Sequence, residues 1–222
     1  MNSRNLIITD LDGTLLKGNS LIIFCGFLLK KLLFSGHIKD LSKLLLVLAK
    51  RKAGICRHRE MKHVILKVGE KNLSGKDFEN FAKKLTNNIN KELLNFISQL
   101  SIKNDILIAT AAPDLYLTYF LKDFKIPRVS LLATKWIDNL QDFKELSGCE
   151  KLDAVKNYLS ENNIKPSYIF SDHTDDLPLF TELEGEKYLV NPSKKTKKEL
   201  SNHFKVEKIS NKNMFILKSS TV

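Results

Sequence analysis

Apolar residues follow two rhythms along this chain. Towards both ends, short apolar runs of strand length alternate with stretches of helical spacing. Asn5 to Asp10, Asp105 to Thr110, Arg128 to Trp136, Pro166 to Ser171 and Lys187 to Val190 read as strands. Between them, Asp114 to Lys122 reads as a helix, with Asp114 as its N-cap after Pro113. Glu150 to Asn162 carries helical spacing at Leu152, Val155, Tyr158 and Leu159, and Leu177 to Leu183 suits a short helix. This alternation predicts an α/β fold, a parallel sheet flanked by helices. Active sites of such sheets lie beyond the carboxyl ends of the strands, where Asp10, Thr110 and Asp172 fall.

Residues 18–100 break the rhythm and read as helical throughout. Leu41, Leu44, Leu45 and Leu48 follow i, i+3, i+4, i+7, as do Phe78, Phe81, Ala82 and Leu85, with Ser74 as an N-cap. The expected organisation is a core of residues 1–17 and 101–222 carrying a helical insert, 18–100. An insert placed right after the first strand's loop would cover the site as a lid. The apolar run Leu21 to Phe34 is interrupted by Lys30 and Lys31 and is too short to span a bilayer. It is expected to pack within the insert. The alternative is an interfacial helix, with Lys39, Lys43, Lys50, Arg51 and Lys52 facing lipid headgroups.

Composition narrows the class. The 222 residues are 43% hydrophobic and 27% charged, as in a soluble globular protein with a sizeable core. The first strand begins close to the start of the sequence, so a secretory signal is not expected. Cys25, Cys56 and Cys149 are widely spaced, which suggests buried thiols in a reducing compartment, the cytoplasm, rather than disulfides or zinc. The net charge is +11, an attraction for phosphorylated substrates, nucleic acid or an anionic membrane. The lysines are scattered and no aromatic-interleaved basic motif appears, so nucleic acid is not expected as a partner. Peripheral membrane contact stays open. Arg57, His58, Arg59, Lys62 and His63 form a basic cluster that suits either a solvated helix face or the acidic part of a substrate.

The chemistry starts at Asp10-Leu11-Asp12-Gly13-Thr14. Two carboxylates two residues apart on a strand share a face, so one can attack an electrophile while the other moves a proton. A calcium loop counted from Asp10 would need an oxygen-rich fifth position and a Glu at the twelfth; Leu21 stands at the twelfth. Thr110, followed by Ala111-Ala112-Pro113, offers a hydroxyl and backbone N–H groups for an anion. Lys151 follows Gly148-Cys149-Glu150 in a first helical turn, where the helix dipole disfavours a cation; it reads either as one solvated lysine among many or as neutralising a phosphate or an aspartate. Ser171-Asp172-His173-Thr174-Asp175-Asp176 gathers acids that repel unless a cation is present, and their oxygens suit Mg²⁺. His173 reads as lining this loop, not as a metal ligand.

These four segments, in this order, resemble the haloacid dehalogenase superfamily, and the insert resembles its C1-capped, phosphoserine phosphatase-like branch. The resemblance implies a Rossmann-like core and an aspartyl-phosphate mechanism. Carried over by position, Asp10 would be the nucleophile and a Mg²⁺ ligand. Asp12 would be the general acid/base, its carbonyl a further ligand. Thr110, Ala111 and Lys151 would bind the phosphoryl group. Asp172 would ligate Mg²⁺, with Asp176, and less directly Asp175, holding metal-bound water. Dehalogenating members lack the second acid, so Asp12 points to phosphoryl transfer. Pro127-Arg128-Val129, Gly148-Cys149-Glu150-Lys151 and Phe170-Ser171-Asp172 running into Pro178-Leu179 are also similar to bacterial phosphatidylglycerophosphate phosphatases. The expected function is a Mg²⁺-dependent phosphomonoesterase. The alternatives are a lipid-phosphate phosphatase at the membrane surface and a non-catalytic binder of phosphate ligands.

Overall fold

The computed structural model describes residues 5–101, 104–124, 126, 128–209 and 213–219. Pro127, one of the residues carrying the phosphatidylglycerophosphate phosphatase likeness, lies outside them. Five strands run parallel: β1 (Asn5–Thr9), β2 (Asn104–Pro113), β3 (Val129–Thr134), β4 (Lys165–Ser171) and β5 (Glu186–Val190). The sheet order is β3-β2-β1-β4-β5-β7-β6. β1 is central among the parallel strands, and its carboxyl end is where Asp10 stands. The last two strands, β6 (Phe204–Lys208) and β7 (Met214–Ser219), were not anticipated and pair antiparallel at one edge. β6 is short and lysine-bearing with little periodic signal, while β7 opens on the short apolar run Met214 to Leu217.

Alternation along β1 divides the core. Leu6 and Ile8 join Leu107, Ala109 and Ile169 on one face; Ile7 joins Ile106, Ile108 and Phe170 on the other. Helices α7 (Gly148–Asn162), α8 (Leu177–Glu182) and α9 (Lys194–Leu200) cover the first face through Val155, Phe180 and Leu200. Helices α5 (Lys91–Leu100) and α6 (Asp114–Asp123) cover the second through Leu93, Ile97, Leu117 and Phe120.

Residues 20–86 form α1 (Ser20–Phe34), α2 (Ile38–Lys52), α3 (His58–Asn72) and α4 (Gly75–Thr86). Ser74 caps α4 in a reciprocal box with Asp77. Asp77 also pairs with Lys31 at 2.7 Å, tying α4 to α1. These helices share a core with α6. The Phe24 ring lies 5.0 Å from Phe81 and 4.9 Å from Tyr116. Phe24→Ala would cost about 3–5 kcal/mol from lost contacts and cavity. The outgoing and returning chain run side by side: Lys17 N–H donates to Asn88 C=O at 2.8 Å and Asn90 N–H to Leu15 C=O at 2.9 Å. The chain then rejoins the sheet in α5, where Phe96 edges onto Phe170 at 6.0 Å and Tyr188 at 5.9 Å.

Local expectations change at five places. Pro113, not Asp114, is the N-cap of α6; the Asp114 carboxylate instead accepts the Trp136 N–H at 2.8 Å. The third strand stops at Thr134, and Trp136 packs beyond it against His63 and Phe143. Leu45 is 51% exposed while Leu44 and Val47 are buried, because α2 sits at the periphery and buries only a narrow stripe. Cys25 and Cys56 are buried but Cys149, at the start of α7, is exposed. Arg59, Lys62 and His63 of the basic cluster are engaged by the loop after β3, as described below. Among the described residues, no helix is long and apolar enough to cross a membrane.

Candidate active site

Asp10, Asp12, Thr110, Ala111, Lys151, Asp172, Asp175 and Asp176 all line one cavity of about 330 Å³ at the carboxyl ends of the strands. β1 delivers the first two. Asp10 N–H donates to Phe170 C=O on β4 at 2.9 Å, which fixes the chain as it leaves the sheet. Gly13 then takes φ +79°, and a Cβ there would sit 2.1 Å from Asp172 Oδ2. Glycine is required twice at this position, for the left-handed turn and for the space Asp172 fills.

Lys151 joins the first segment to the last. Its ammonium donates to Asp10 Oδ1 at 2.9 Å and lies 2.7 Å from Asp176 Oδ1. Asp176 is buried and also accepts from Ser171 Oγ at 2.7 Å. Burial opposes charge on Lys151, but the two carboxylates outweigh it and raise its pKa. Asp175 is exposed, and its N–H donates to His173 Nδ1, so His173 caps the loop. Asp172 accepts from Thr14 Oγ1 at 3.2 Å, and Thr14 C=O in turn accepts from Asn90 at the insert's return. The Thr110 oxygen accepts the Ala112 N–H at 3.1 Å, leaving its own proton for an acceptor in the cavity.

The two leading acids differ in surroundings. Burial pushes the Asp10 carboxyl up to about 7, against the pull of Lys151 and with the added push of Asp176 and Asp172. Burial raises Asp12 to about 6, opposed by two hydrogen bonds from Ser20, its N–H at 2.8 Å and its hydroxyl at 2.9 Å. Ser20 Oγ is also 2.9 Å from Tyr116 Oη. Sequence reasoning missed both residues, since nothing local marks a serine at a helix start as a partner for Asp12.

The insert reaches in through α3. Lys62, buried, donates to Ala111 C=O at 2.7 Å and pairs with Glu145 at 2.5 Å. Arg59 donates to Leu140 C=O, and His63 Nε2 lies 2.8 Å from Asp138 C=O. The basic cluster thus grips the loop between β3 and α7, and only His58 and Lys62 of it border the cavity.

Six carboxylates and two lysines line the cavity, so acidic side chains outnumber the lysines there. Burial also raises the Asp172 carboxyl. Among the described residues no three His, Cys, Asp or Glu side chains are arranged to hold a metal ion. The carboxylates of Asp10 and Asp172 with the Asp12 carbonyl are nevertheless a hard oxygen set. Such a set suits Mg²⁺, which keeps several waters and needs few protein ligands.

A family model described as haloacid dehalogenase-like hydrolase matches residues 7–181. No curated protein matches the chain. Among solved structures, a protein of unknown function from Bordetella pertussis Tohama I superposes with TM-score 0.68 at 16% identity, over 90% of this chain and 96% of that one. A substrate-bound phosphoserine phosphatase superposes with TM-score 0.58 at 12% identity, over 90% and 91%. A predicted phosphatase from Clostridium acetobutylicum gives TM-score 0.54 at 17% identity, over 89% and 91%. These likenesses establish a shared fold.

Proposed function

The chain belongs to the haloacid dehalogenase-like hydrolases, and from that premise we propose that it is a Mg²⁺-dependent phosphomonoesterase working through an aspartyl-phosphate on Asp10. One observation carries the reading. Asp10 and Asp12 lead off the central parallel strand into a cavity where Lys151 is anchored to Asp10 at 2.9 Å. Phosphoryl transfer asks for that combination of a positioned nucleophile, a proton carrier and fixed positive charge. The names of two similar structures, a phosphoserine phosphatase and a predicted phosphatase, agree with it.

In the first step an Asp10 oxygen attacks phosphorus and the bond to the leaving oxygen breaks. Asp12, protonated, gives that oxygen its proton. In the second, the Asp12 carboxylate takes a proton from water, the water oxygen attacks phosphorus, and the bond to Asp10 breaks to release phosphate. Lys151 and the Thr110 hydroxyl hold the phosphoryl oxygens throughout. Asp10, Asp172 and the Asp12 carbonyl would hold Mg²⁺, which when bound would neutralise charge between the nucleophile and the phosphate dianion. Asp176 keeps the Lys151 ammonium in place.

The test is hydrolysis of p-nitrophenyl phosphate with and without Mg²⁺, in wild type and Asp10→Asn. Turnover that needs both the metal and Asp10, with BeF₃⁻ trapped on the Asp10 carboxylate, is expected. Phosphate binding without turnover would instead favour the non-catalytic binder.

A second reading places this reaction on lipid phosphates at an anionic membrane. The observation favouring it is an exposed apolar set, Ile22, Leu33, Phe34, Ile38, Leu45, Leu46 and Ile55, interleaved with exposed Lys39, Lys43, Lys50, Arg51 and Lys52 on the insert. Replacing Lys50, Arg51 and Lys52 with Glu should lower activity on vesicle-borne phosphates and spare p-nitrophenyl phosphate. Equal loss on both, or no vesicle binding by the wild type, argues against it.

A further inference from the structure

The catalytic cavity has a neighbour. Asn19, Leu21 and His58 wall both it and a groove of about 500 Å³ between α1, α2 and α3. Away from this junction the groove is lined by apolar side chains: Ile22, Cys25, Leu29, Leu48, Met61 and Ile65. Its polar wall residues, Asn19 and His58, are the ones shared with the catalytic cavity. The groove therefore changes from polar to apolar in one direction, starting where the phosphoryl group would be held.

We propose that this groove is a hydrocarbon subsite: the alcohol half of the substrate carries an aliphatic chain, which lies between α1, α2 and α3 while its phosphoryl group meets Asp10. The proposal rests on the phosphomonoesterase reading and names the substrate class for it. Two arguments select this occupant. A ligand already anchored at the phosphoryl site extends naturally into a groove that shares its wall. A charged or polyhydroxylated leaving group would face carbon there and lose its hydration without return. The volume lies in the range of ordinary ligand sites. Gly26 on α1 also borders the groove, and a Cβ added there meets nothing within 4 Å. A larger side chain at this position can occupy the groove without displacing backbone.

The experiment compares kcat/KM for n-alkyl phosphates from ethyl to decyl, dispersed as monomers, with Mg²⁺. In wild type kcat/KM should climb about fourfold per added methylene before levelling as the groove fills. Gly26→Leu should lower the decyl-to-ethyl ratio about tenfold or more, a comparison internal to one variant and so independent of how much of it folds. A flat series in wild type, or an unchanged ratio in Gly26→Leu, would overturn the proposal. Binding of the same series to Asp10→Asn, read by calorimetry, separates this idea from the catalytic one. If no phosphomonoester is hydrolysed, the phosphatase reading fails. Affinity indifferent to chain length removes the groove whatever the turnover.

Discussion

Ser20 gives Asp12 two hydrogen bonds, the N–H at 2.8 Å and the hydroxyl at 2.9 Å, so the first residue of α1 holds the proposed proton carrier. Hydrogen bonds to a carboxylate favour its charged form and hold Asp12 near 6 despite burial. Ser20→Ala removes one of the two. The Asp12 pKa should then rise by about one unit. The first step needs protonated Asp12, so the alkaline limb of the kcat/KM profile should move to higher pH. An unmoved limb would detach Asp12 from the acid role.

The acids should separate by metal dependence. Asp12→Asn keeps the backbone carbonyl and should leave Mg²⁺ affinity near wild type while slowing turnover about 10²–10⁴-fold. Asp172→Ala should weaken Mg²⁺ first, with activity partly regained at high metal. Metal titrations that rank the two variants the other way would reverse the assignments.

Acid–base linkage gives a stability signature. Without metal, Asp10 and Asp12 have pKa values raised to about 7 and about 6, chiefly by burial. They bind protons more tightly folded than unfolded. Their contribution to stability is therefore full below the unfolded carboxylate pKa and is lost as pH rises through about 7. The melting temperature of the metal-free protein should fall between about pH 5 and about pH 8, and Asp10→Asn should flatten that slope. Mg²⁺ competes with those protons, so it should raise the melting temperature more at the higher pH. Equal stabilisation at both would mean the metal does not meet these carboxylates.

Lys62 and Glu145 clasp the insert to the loop before α7. Lys62→Met keeps the packing of the stem and leaves the mostly buried Glu145 carboxylate facing His58 at 3.8 Å in place of the ammonium. Losing one partner of such a pair costs about 3 kcal/mol. That is about 6–12 °C in melting temperature for a chain of this size. Glu145→Gln, which retains an acceptor for Lys62, should cost less. Calorimetric melts of the two variants decide the point.

The strand ends were readable in the sequence because each pairs an apolar run with a polar residue that has no place in a core. Asp10, Thr110 and Asp172 declare themselves this way, and strand alternation supplies the parallel order. The helical character of residues 20–86 was readable from its period. What escaped depends on contacts across the fold. Ser20 meets Tyr116 from 96 residues away, and Lys62 meets Glu145 only because α3 lands on that loop. Asp114 satisfies every local rule for an N-cap, yet the Trp136 N–H claims its carboxylate. β6 stayed hidden because an edge strand carrying Lys205, Glu207 and Lys208 lacks a continuous apolar run, whereas β7 offers one, Met214 to Leu217, that the sequence reading passed over.

Asn5 pairs with Asn104 across the whole insert, so β1 and β2 are distant along the chain and adjacent in space. Closing a loop that long is slow, whereas helices assemble from local contacts in microseconds. The side-by-side segments at Lys17 and Asn88 bring the two ends together once α1 to α4 have collapsed. The expected folding order is that α1 to α4 form early and bring β1 to β2. Pulse-labelled hydrogen exchange during refolding should protect amides of α1 and α4 before those of β1, and a sheet protected first would refute that order.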